Sequence, residues 1–422
     1  METTAPTGEH DLAIVGLGLR ALGLLTATPE LLDHRLLIID DRQVVGPGGF
    51  ADLHIESNSV GTDFFGWVDP AGSFGDILHL PAVAELRAET GCFNLSRLAG
   101  ALAETATALR RMAANWVFMH PWRVTAIRAV PGRVPVPGRE APAPSYELWL
   151  DRRTRLRAAA VVLASGIVER PVPGLVPDDR PLLMSGAVLR SGWPDPRRHP
   201  VELGDLVIVG GSHSAFSCVR RILDTDASFN SVKVVSRGRV RVFYDGIEGY
   251  RAAPRSPHEA PVDAGRDVCP KTGLVNRYHG LRNSSRELFR RIAAGEVPRV
   301  GLATAARATE IQQLCASADT VVHAAGYRSR YPALIGAGGA VIDATDHSGI
   351  LRPDADGTLG HAHPDLANIF VMGADPYPYR DWRVDPASQY RRRGTQLLRR
   401  LAGTPLPPAW ASAEGGPSTC AS

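Results

Sequence analysis

A glycine turn near the start of the chain has the residue types that bind a dinucleotide. Gly16, Gly18 and Ala21 form a GxGxxA sequence between an apolar run and a helical stretch. The first glycine permits a tight turn, the second lets the backbone approach a pyrophosphate, and the small third residue lets the helix pack on the strand. Asp40 and its rival Asp41 end the next apolar run, where a carboxylate binds a ribose hydroxyl. This arrangement predicts a dinucleotide site, which we expect to hold FAD.

A second turn of this kind lies near the middle of the chain, directly after the apolar run DLVIV. Its residues are Gly210, Ser212, His213, Ser214 and Ala215. Ser212 stands where the second glycine would be, and its hydroxyl can bond a phosphate oxygen. We expect His213 to border the phosphates rather than to act as a catalytic base.

The strand after the second turn ends in Ser236 and Arg237, with Arg239 two residues further on. An NAD site has Asp or Glu at this place, whereas a cation suits the 2′-phosphate of NADP. The alternative is that these arginines are solvated surface residues in an arginine-rich chain. The pattern favours NADPH as the second cofactor, with its hydride passing to the flavin.

Composition argues against several classes of protein. The chain has 422 residues and a net charge of +3, which does not suit a dedicated nucleic-acid or membrane-surface binder. The five cysteines form no CxxC pair, and no Cys/His spacing suggests a metal site. The chain begins without a signal-peptide pattern, and no apolar run approaches the ~18–20 residues of a membrane span. We therefore expect a cytoplasmic protein that binds no metal, nucleic acid or membrane.

The other apolar runs predict an α/β fold. Residues 84–114 carry helical patterning, while residues 158–166, 320–326 and 368–373 have the composition of buried strands. Strand–helix–strand order occurs at both glycine turns. We therefore expect two Rossmann-like dinucleotide-binding domains.

Three later stretches give the chain a resemblance to a known family. LASGIVERPVPG, which contains Gly166, looks like a strand-and-turn crossover. VMGAD, which contains Gly373 and Asp375, looks like a late strand end that contacts the ribityl chain of a flavin. DTVVHAAGY, which ends in Gly326 and Tyr327, is similar to the D-x3-(L/F)-A-T-G-Y motif of N-hydroxylating flavin monooxygenases. With the two turns, these stretches resemble the two-dinucleotide-binding-domain flavoproteins over most of the chain.

The resemblance implies how the chain is divided. In this superfamily the FAD domain is split in sequence and the NADPH domain is inserted within it. The expected parts are residues 1–175 and 326–403 for the FAD domain, 176–325 for the NADPH domain with an insertion at about 243–291, and 404–422 for a disordered tail. Gly49 is expected to bind a cofactor, and Asn58 and Ser59 are expected as polar contacts of the isoalloxazine.

Two departures decide which branch of the superfamily fits. Disulfide reductases need a paired dithiol beside the flavin, and the chain has none. Class B monooxygenases carry the fingerprint F-x-G-x-x-x-H-x-x-x-(W/Y/K)-(P/D) before the second turn. Here Gly186 is kept and the Trp193-Pro194 end is present one residue early, whereas Met184 replaces Phe and Arg190 replaces His. Arg190 is expected to touch an NADP phosphate.

The insertion contains a dense group of polar side chains. The candidate catalytic residues are Lys271, Asn276, Tyr278, His279 and Arg282, with Arg277 among them. One interpretation is a clamp for the substrate or the nicotinamide; the other is a solvated surface excursion.

The resemblance implies an NADPH-dependent FAD monooxygenase that oxygenates nitrogen or sulfur of a small molecule, such as an amine or amino-acid derivative in specialised metabolism. The altered fingerprint leaves open a flavoenzyme of the same fold that reduces, desaturates or cyclises its substrate. A third hypothesis is a non-catalytic nucleotide-binding protein. A free substrate or one tethered to a carrier protein, and a monomer or a homo-oligomer, are all compatible with the sequence.

Overall fold

The computed structural model of the protein describes residues 9–57, 59–132, 144–151, 154–195, 202–225, 227–270, 272–277, 279–372 and 386–402. Their strands are β1 Glu9–Val15, β2 Leu36–Ile39, β3 Val117–Met119, β4 Val124–Val130, β5 Ser145–Leu150, β6 Arg155–Leu163, β7 Ile167–Glu169, β8 Leu182–Met184, β9 Asp205–Val209, β10 Ser231–Ser236, β11 Val300–Thr304, β12 Thr320–His323, β13 Tyr327–Ser329, β14 Ala333–Ile335, β15 Val341–Ile342 and β16 Ile369–Val371. Their α-helices are α1 Leu19–Ala27, α2 Pro81–Arg87, α3 Leu95–Met112, α4 Ser185–Val188, α5 His213–Leu223, α6 Ile247–Ala252, α7 Ala264–Asp267, α8 Asn283–Ala293, α9 Ala308–Ala316 and α10 Pro386–Leu401.

Nine of the described strands form the larger sheet, in the order β15-β14-β4-β5-β6-β1-β2-β3, with β16 also paired to β6. Strand β1 runs parallel to both β2 and β6. Strands β4, β5 and β6 form an antiparallel meander. The carboxyl ends of β1, β2 and β6 therefore meet at one edge of the sheet, which is where open α/β sheets bind ligands.

Five described strands form a second, fully parallel sheet in the order β11-β10-β9-β12-β8. Strand β9 lies inside this sheet between β10 and β12, as β1 lies between β2 and β6 in the larger one. Each of these central strands runs directly into a helix, β1 into α1 and β9 into α5. The predicted α/β fold with two Rossmann-like units is confirmed.

The central strands are apolar throughout because both of their faces are covered. Leu12 and Ile14 pack into a cluster that includes residues of α1 and α3. Ala13 and Val15, which point to the opposite face, pack with residues of β4 and β5. Burial of both faces explains why the sequence of β1 does not alternate between apolar and polar residues.

The helical patterning of residues 84–114 is divided between two helices. Helix α2 ends at Arg87, and α3 begins at Leu95 after Asn94, whose side chain accepts a hydrogen bond from the backbone N–H of Ser96 at 3.0 Å. The connecting segment pairs with another part of the chain, since the Ser57 N–H donates to the Phe93 carbonyl at 2.9 Å. The backbone of this segment is hydrogen-bonded to a distant part of the chain, so the helical hydrogen bonds are interrupted here.

Candidate functional site

The two glycine turns are built in the same way. The Gly16 N–H donates to the Ile39 carbonyl at 2.8 Å, and the Gly210 N–H donates to the Val235 carbonyl at 2.8 Å. Gly16 has φ +96°, and a Cβ on it would lie 2.7 Å from the Ala164 carbonyl oxygen. Gly210 has φ +145° and meets the Ala324 carbonyl in the same manner. Both first glycines are therefore required by backbone conformation and by close packing.

Ser212 occupies the place of a glycine without strain. It caps α5 with φ −115° and ψ −176°, and Gly18 caps α1 with φ −102° and ψ −167°. This extended conformation is open to any residue, so the serine needs no compensation. Ala21 and Ala215, the third small residues of the two turns, are completely buried. Both helices thus begin at turns whose free backbone N–H groups can bind an anion.

A cavity of about 610 Å³ lies at the carboxyl ends of β1, β2 and β6. The predicted cofactor residues that line it are Gly16, Gly18, Asp40, Asp41, Gly49, Gly166 and Tyr327. A Cβ on Gly18 would come no nearer than 3.9 Å to the Cα of Gly48, and a Cβ on Gly49 would meet nothing within 4 Å. The facing glycines therefore leave a groove beside the N-terminus of α1, and this groove fits the pyrophosphate of FAD.

The two acidic residues after β2 have different partners. Asp40 accepts the backbone N–H of Leu17 at 2.7 Å and that of Arg42 at 2.9 Å. Asp41 forms an ion pair with Arg330. Asp40 therefore fixes the shape of the first turn, and each of its oxygens keeps a lone pair for a further donor such as a ribose hydroxyl.

Several residues that line the cavity were not predicted. They are Arg20, Arg42, Trp122, Arg123, Tyr331 and Arg330. The backbone N–H of Trp122 donates to the backbone carbonyl of Asp40 at 3.0 Å. The backbone N–H of Arg330 donates to the Gly166 carbonyl at 3.0 Å. Trp122 follows β3, which is parallel to β2, so its position after an apolar run was the one available signal.

The strand after the second turn ends in the predicted basic residues. The Ser236 hydroxyl donates to the Gly238 carbonyl at 2.7 Å. A Cβ on Gly211 would lie 2.8 Å from the Cβ of Ser236. Arg237 and Arg239 are exposed, and within the described ranges neither has a carboxylate within 4 Å. Both guanidinium groups are therefore available to an anion from solvent.

His213 contacts the insertion through its ring. Its Nε2 lies 3.2 Å from the Gly280 carbonyl and 3.1 Å from the backbone N–H of Arg282. Burial lowers the pKa of His213, so the neutral ring is favoured. The neutral Nε2 can accept from Arg282 in one tautomer or donate to Gly280 in the other. The ring therefore fastens the insertion to the second turn.

The described candidates in the insertion have distinct environments. Asn276 is buried at φ 50° and donates its amide to the Val242 carbonyl at 2.9 Å, a contact that shapes the loop. Partial desolvation of the His279 ring and the nearby charge of Arg241 lower its pKa. The guanidinium carbon of Arg282 lies 3.7 Å from the centre of the Phe243 ring. The predictions for Asn58, Lys271, Tyr278, Gly373 and Asp375 fall outside the described residues.

The predicted residues Arg190, Ser59 and Gly326 do not line the cavity. Arg190 is exposed and forms a β-bridge with Leu53, which is a lining residue. The Ser59 N–H donates to the Ser57 hydroxyl at 3.0 Å. Gly326 has φ +147° and immediately precedes Tyr327.

Tyr327 connects the two turns. It lines the cavity, while its side chain interacts with Ser214 of the second turn and with Ser185. Glu169, its partner in the antiparallel β7–β13 pair, accepts from the Gly186 N–H at 2.8 Å and from the Ser185 hydroxyl. One tyrosine therefore spans the distance between the first cavity and the start of α5.

The described part of the chain offers no group of three or more His, Cys, Asp or Glu side chains that could hold a metal ion. The described cysteines Cys92, Cys218, Cys269 and Cys315 form no disulfide among the residues that the structure describes. Among the helices described above, none combines the length and apolar composition that a membrane crossing requires.

Comparison with known proteins finds a similar hydroxylase and several solved structures of the same fold. No protein-family model matches the chain. The CMP-5′-(3-aminopropyl)phosphonate hydroxylase of Streptomyces rubellomurinus is 29% identical over 405 residues, which cover 89% of this chain and 90% of that protein.

Solved structures match at lower identity. An ornithine N-hydroxylase of Kutzneria sp. 744, in complex with reduced FAD, NADP⁺ and L-ornithine, has a TM-score of 0.60 and 18% identity, covering 94% of this chain and 99% of its own. The FAD-bound cadaverine monooxygenase of Erwinia amylovora has a TM-score of 0.57 and 12% identity, covering 95% and 97%. The chain therefore has the two-Rossmann fold of the FAD- and NADP-dependent monooxygenases.

Proposed function

We propose that the protein is an FAD-dependent, NADPH-consuming monooxygenase that hydroxylates the nitrogen of a small amine. The observation that carries the proposal is the repeated turn, with Tyr327 lining the cavity at the first turn and lying beside Ser214 of the second. Two dinucleotide sites joined in this way suit hydride transfer from one nucleotide to the other. The likeness to a hydroxylase along 89% of the chain supports the same activity.

The residues of the first cavity would hold FAD. Its pyrophosphate would lie in the groove between Gly18 and Gly48 at the N-terminus of α1, and Asp40 would accept a ribose hydroxyl. When bound, the flavin supplies hydride acceptance and oxygen activation. The FAD domain in this proposal comprises residues 1–175 and 326–403.

The residues of the second turn would hold NADPH within residues 176–325. Ser212 and the N-terminus of α5 would face its pyrophosphate. Arg237 and Arg239, exposed and without a carboxylate within 4 Å among the described residues, would bind the 2′-phosphate. Their charge is the reason to propose NADPH rather than NADH.

The amine class follows from the relatives. The Streptomyces protein is named for an aminopropyl phosphonate linked to CMP, and the two solved enzymes are named for ornithine and cadaverine. Each of these three compounds carries a primary amine on a short chain. A free thiol at Cys92 and the need for NADPH suit a cytoplasmic setting.

The protein's own side chains would position the reactants and exclude water. His213 would keep the insertion closed over the second turn, and Tyr327 would keep the two nucleotides in register. No side chain of a triad or carboxylate pair is required, because the cofactor carries the difficult step.

The test is to purify the protein with FAD, add NADPH, and screen primary amines for substrate-stimulated NADPH oxidation. Mass spectrometry would then measure hydroxylated amine, and a peroxidase assay would measure hydrogen peroxide. The proposal predicts an amine for which hydroxylated product exceeds peroxide. NADPH oxidation that yields peroxide alone with every amine, or a reduced or desaturated product, would contradict it.

A further inference from the structure

Arg282 of the insertion stacks on the ring of Phe243, and Arg286 and Arg277 lie beside it. The Arg282 guanidinium carbon lies 3.7 Å from the centre of the Phe243 ring. Arg286 donates from Nη1 to the Phe243 carbonyl at 3.2 Å, and Arg282 donates from Nη2 to the Arg277 carbonyl at 2.5 Å. A guanidinium stacked on a ring is held in a fixed plane, so its remaining donors point in defined directions.

Arg282 and Arg286 have no ion-pair partner at short range among the described residues. Within the described chain, no carboxylate lies within 4 Å of Arg282 or Arg286, and the Arg282 Nε is buried without a hydrogen-bond partner. Asp63 and Asp245 act on Arg282 from further away. Burial, together with the like charge of Arg277 and Arg286, lowers the pKa of Arg282. A bound anion would accept a hydrogen bond from the Arg282 Nε. It would also reduce the repulsion between Arg282 and the neighbouring arginines.

Arg282 is half-buried and contacts the second turn. The backbone N–H of Arg282 is 3.1 Å from His213 Nε2, which ties the arginine to the second turn. Two residues on, the Ser284 hydroxyl bonds Glu56 of the segment that precedes Asp63. Arg282 also caps the eleven-residue helix α8, whose first turn has no acidic residue. The second turn, the insertion and the segment that contains Glu56 and Asp63 therefore come together around Arg282.

We propose that Arg282, stacked on Phe243 and flanked by Arg286, recognises an anionic group on the substrate, so that the enzyme selects amines that also carry a phosphonate, phosphate or carboxylate. This inference rests on the proposed function for its amine. Guanidinium groups bind tetrahedral and planar oxyanions through paired hydrogen bonds. The anion would anchor one end of the substrate while its amine faces the flavin.

The test is calorimetric binding of three amines to the oxidised holoenzyme with NADP⁺. The probes are 3-aminopropylphosphonate, 4-aminobutyrate and the uncharged analogue 3-aminopropanol. A hydrogen-bonded charge pair corresponds to roughly a 10- to 100-fold difference in affinity. We expect the wild type to bind an anionic probe more tightly than 3-aminopropanol by that factor. Whichever of 3-aminopropylphosphonate and 4-aminobutyrate binds more tightly identifies phosphonate or carboxylate as the group that the site recognises.

Variants separate a specific contact from a general effect of charge. Arg282→Gln should abolish the preference, and Arg282→Lys should keep part of it. The matched control is Arg291→Gln on the same helix, where an exposed arginine lies 3.9 Å from Glu296; its preference should equal that of the wild type. Melting curves check that each variant is folded.

Several outcomes would overturn the inference. They are equal or undetectable binding of the three probes by the wild type, an unchanged preference in folded Arg282→Gln, and a loss of NADP⁺ affinity in that variant with selectivity intact. Product analysis is independent: an enzyme that prefers anionic amines but forms no hydroxylated product would retain the anion site while refuting the proposed function.

Discussion

At the scale of single residues, the two glycines of the first turn have separable duties. Gly16 is fixed by a positive φ and by contact with the Ala164 carbonyl, whereas Gly18 is extended and has open space beside it. The space beside Gly18 is the groove assigned to the pyrophosphate. Substitution of Gly18 should therefore affect the cofactor and spare the fold.

Gly18→Ala is expected to fold like the wild type and to bind FAD at least tenfold more weakly, because the added methyl group enters the groove. Gly16→Ala should lose stability as well, since its Cβ would lie 2.7 Å from a carbonyl oxygen. The measurements are the melting temperature of each apoprotein and FAD titration by fluorescence quenching. Wild-type FAD affinity in Gly18→Ala would contradict the placement of the pyrophosphate.

Arg237 and Arg239 are proposed to determine the preference for NADPH over NADH. The double variant Arg237→Gln, Arg239→Gln is expected to raise the KM for NADPH about tenfold or more, because each charged hydrogen bond contributes about 1.5–3 kcal/mol. The KM for NADH should stay unchanged, since NADH has no 2′-phosphate. Steady-state kinetics with both cofactors measures this, with Arg291→Gln as the control. Equal losses for NADPH and NADH would refute the assignment.

At the scale of elements, the antiparallel β7–β13 pair joins the two sheets at the site. Glu169 of β7 and Tyr327 of β13 face each other and together contact Ser185. This pair holds the start of α5 against the first cavity, so it should control how well the two nucleotides are aligned.

Tyr327→Phe is expected to keep NADPH oxidation within a few-fold of the wild type while shifting product from hydroxylated amine to hydrogen peroxide. The phenyl ring preserves packing but loses the contact with Ser214. Tyr331→Phe is the control, because that tyrosine lines the same cavity and its hydroxyl contacts Thr345 instead. The readout is peroxide formed per NADPH consumed. An unchanged ratio in Tyr327→Phe would show that the hydroxyl does not align the nucleotides.

The sequence was most informative where a short stretch determines its own geometry. The turns at Gly16 and Gly210 were predicted because strand, turn and helix are contiguous there. Trp122 and Arg330 were missed because they reach the cavity from distant strands, through pairings that no local spacing reveals. The division between α2 and α3 was missed for the same reason, because a long-range pairing with residues 55–57 interrupts the helical pattern.

At the scale of the whole molecule, buried histidines link stability to pH. Burial lowers the pKa of His10, His213 and His323 from the ordinary value of 6.5. Between each lowered pKa and 6.5 the unfolded chain binds more protons than the folded one. The contribution of these histidines to the free energy of unfolding is therefore fully present above pH 6.5. It is lost as the pH falls through their folded pKa values.

His323→Gln is expected to reduce this acid sensitivity. The amide cannot be protonated, yet its oxygen can accept the Val172 N–H that His323 Nε2 now accepts at 3.3 Å. Urea unfolding above and below pH 6.5 should give a smaller difference in the free energy of unfolding for the variant than for the wild type. The same pH dependence in both proteins would mean that His323 does not carry this linkage.

The most direct test of monooxygenase activity is the fate of molecular oxygen. The FAD-loaded enzyme would be mixed with one equivalent of NADPH, the preferred amine and isotopically labelled O₂, and the product would be analysed by mass spectrometry. We predict one labelled oxygen atom on the amine nitrogen for each NADPH oxidised, with the second atom released as water. An unlabelled product, a desaturated or reduced amine, or flavin that NADPH fails to reduce would contradict the proposed function.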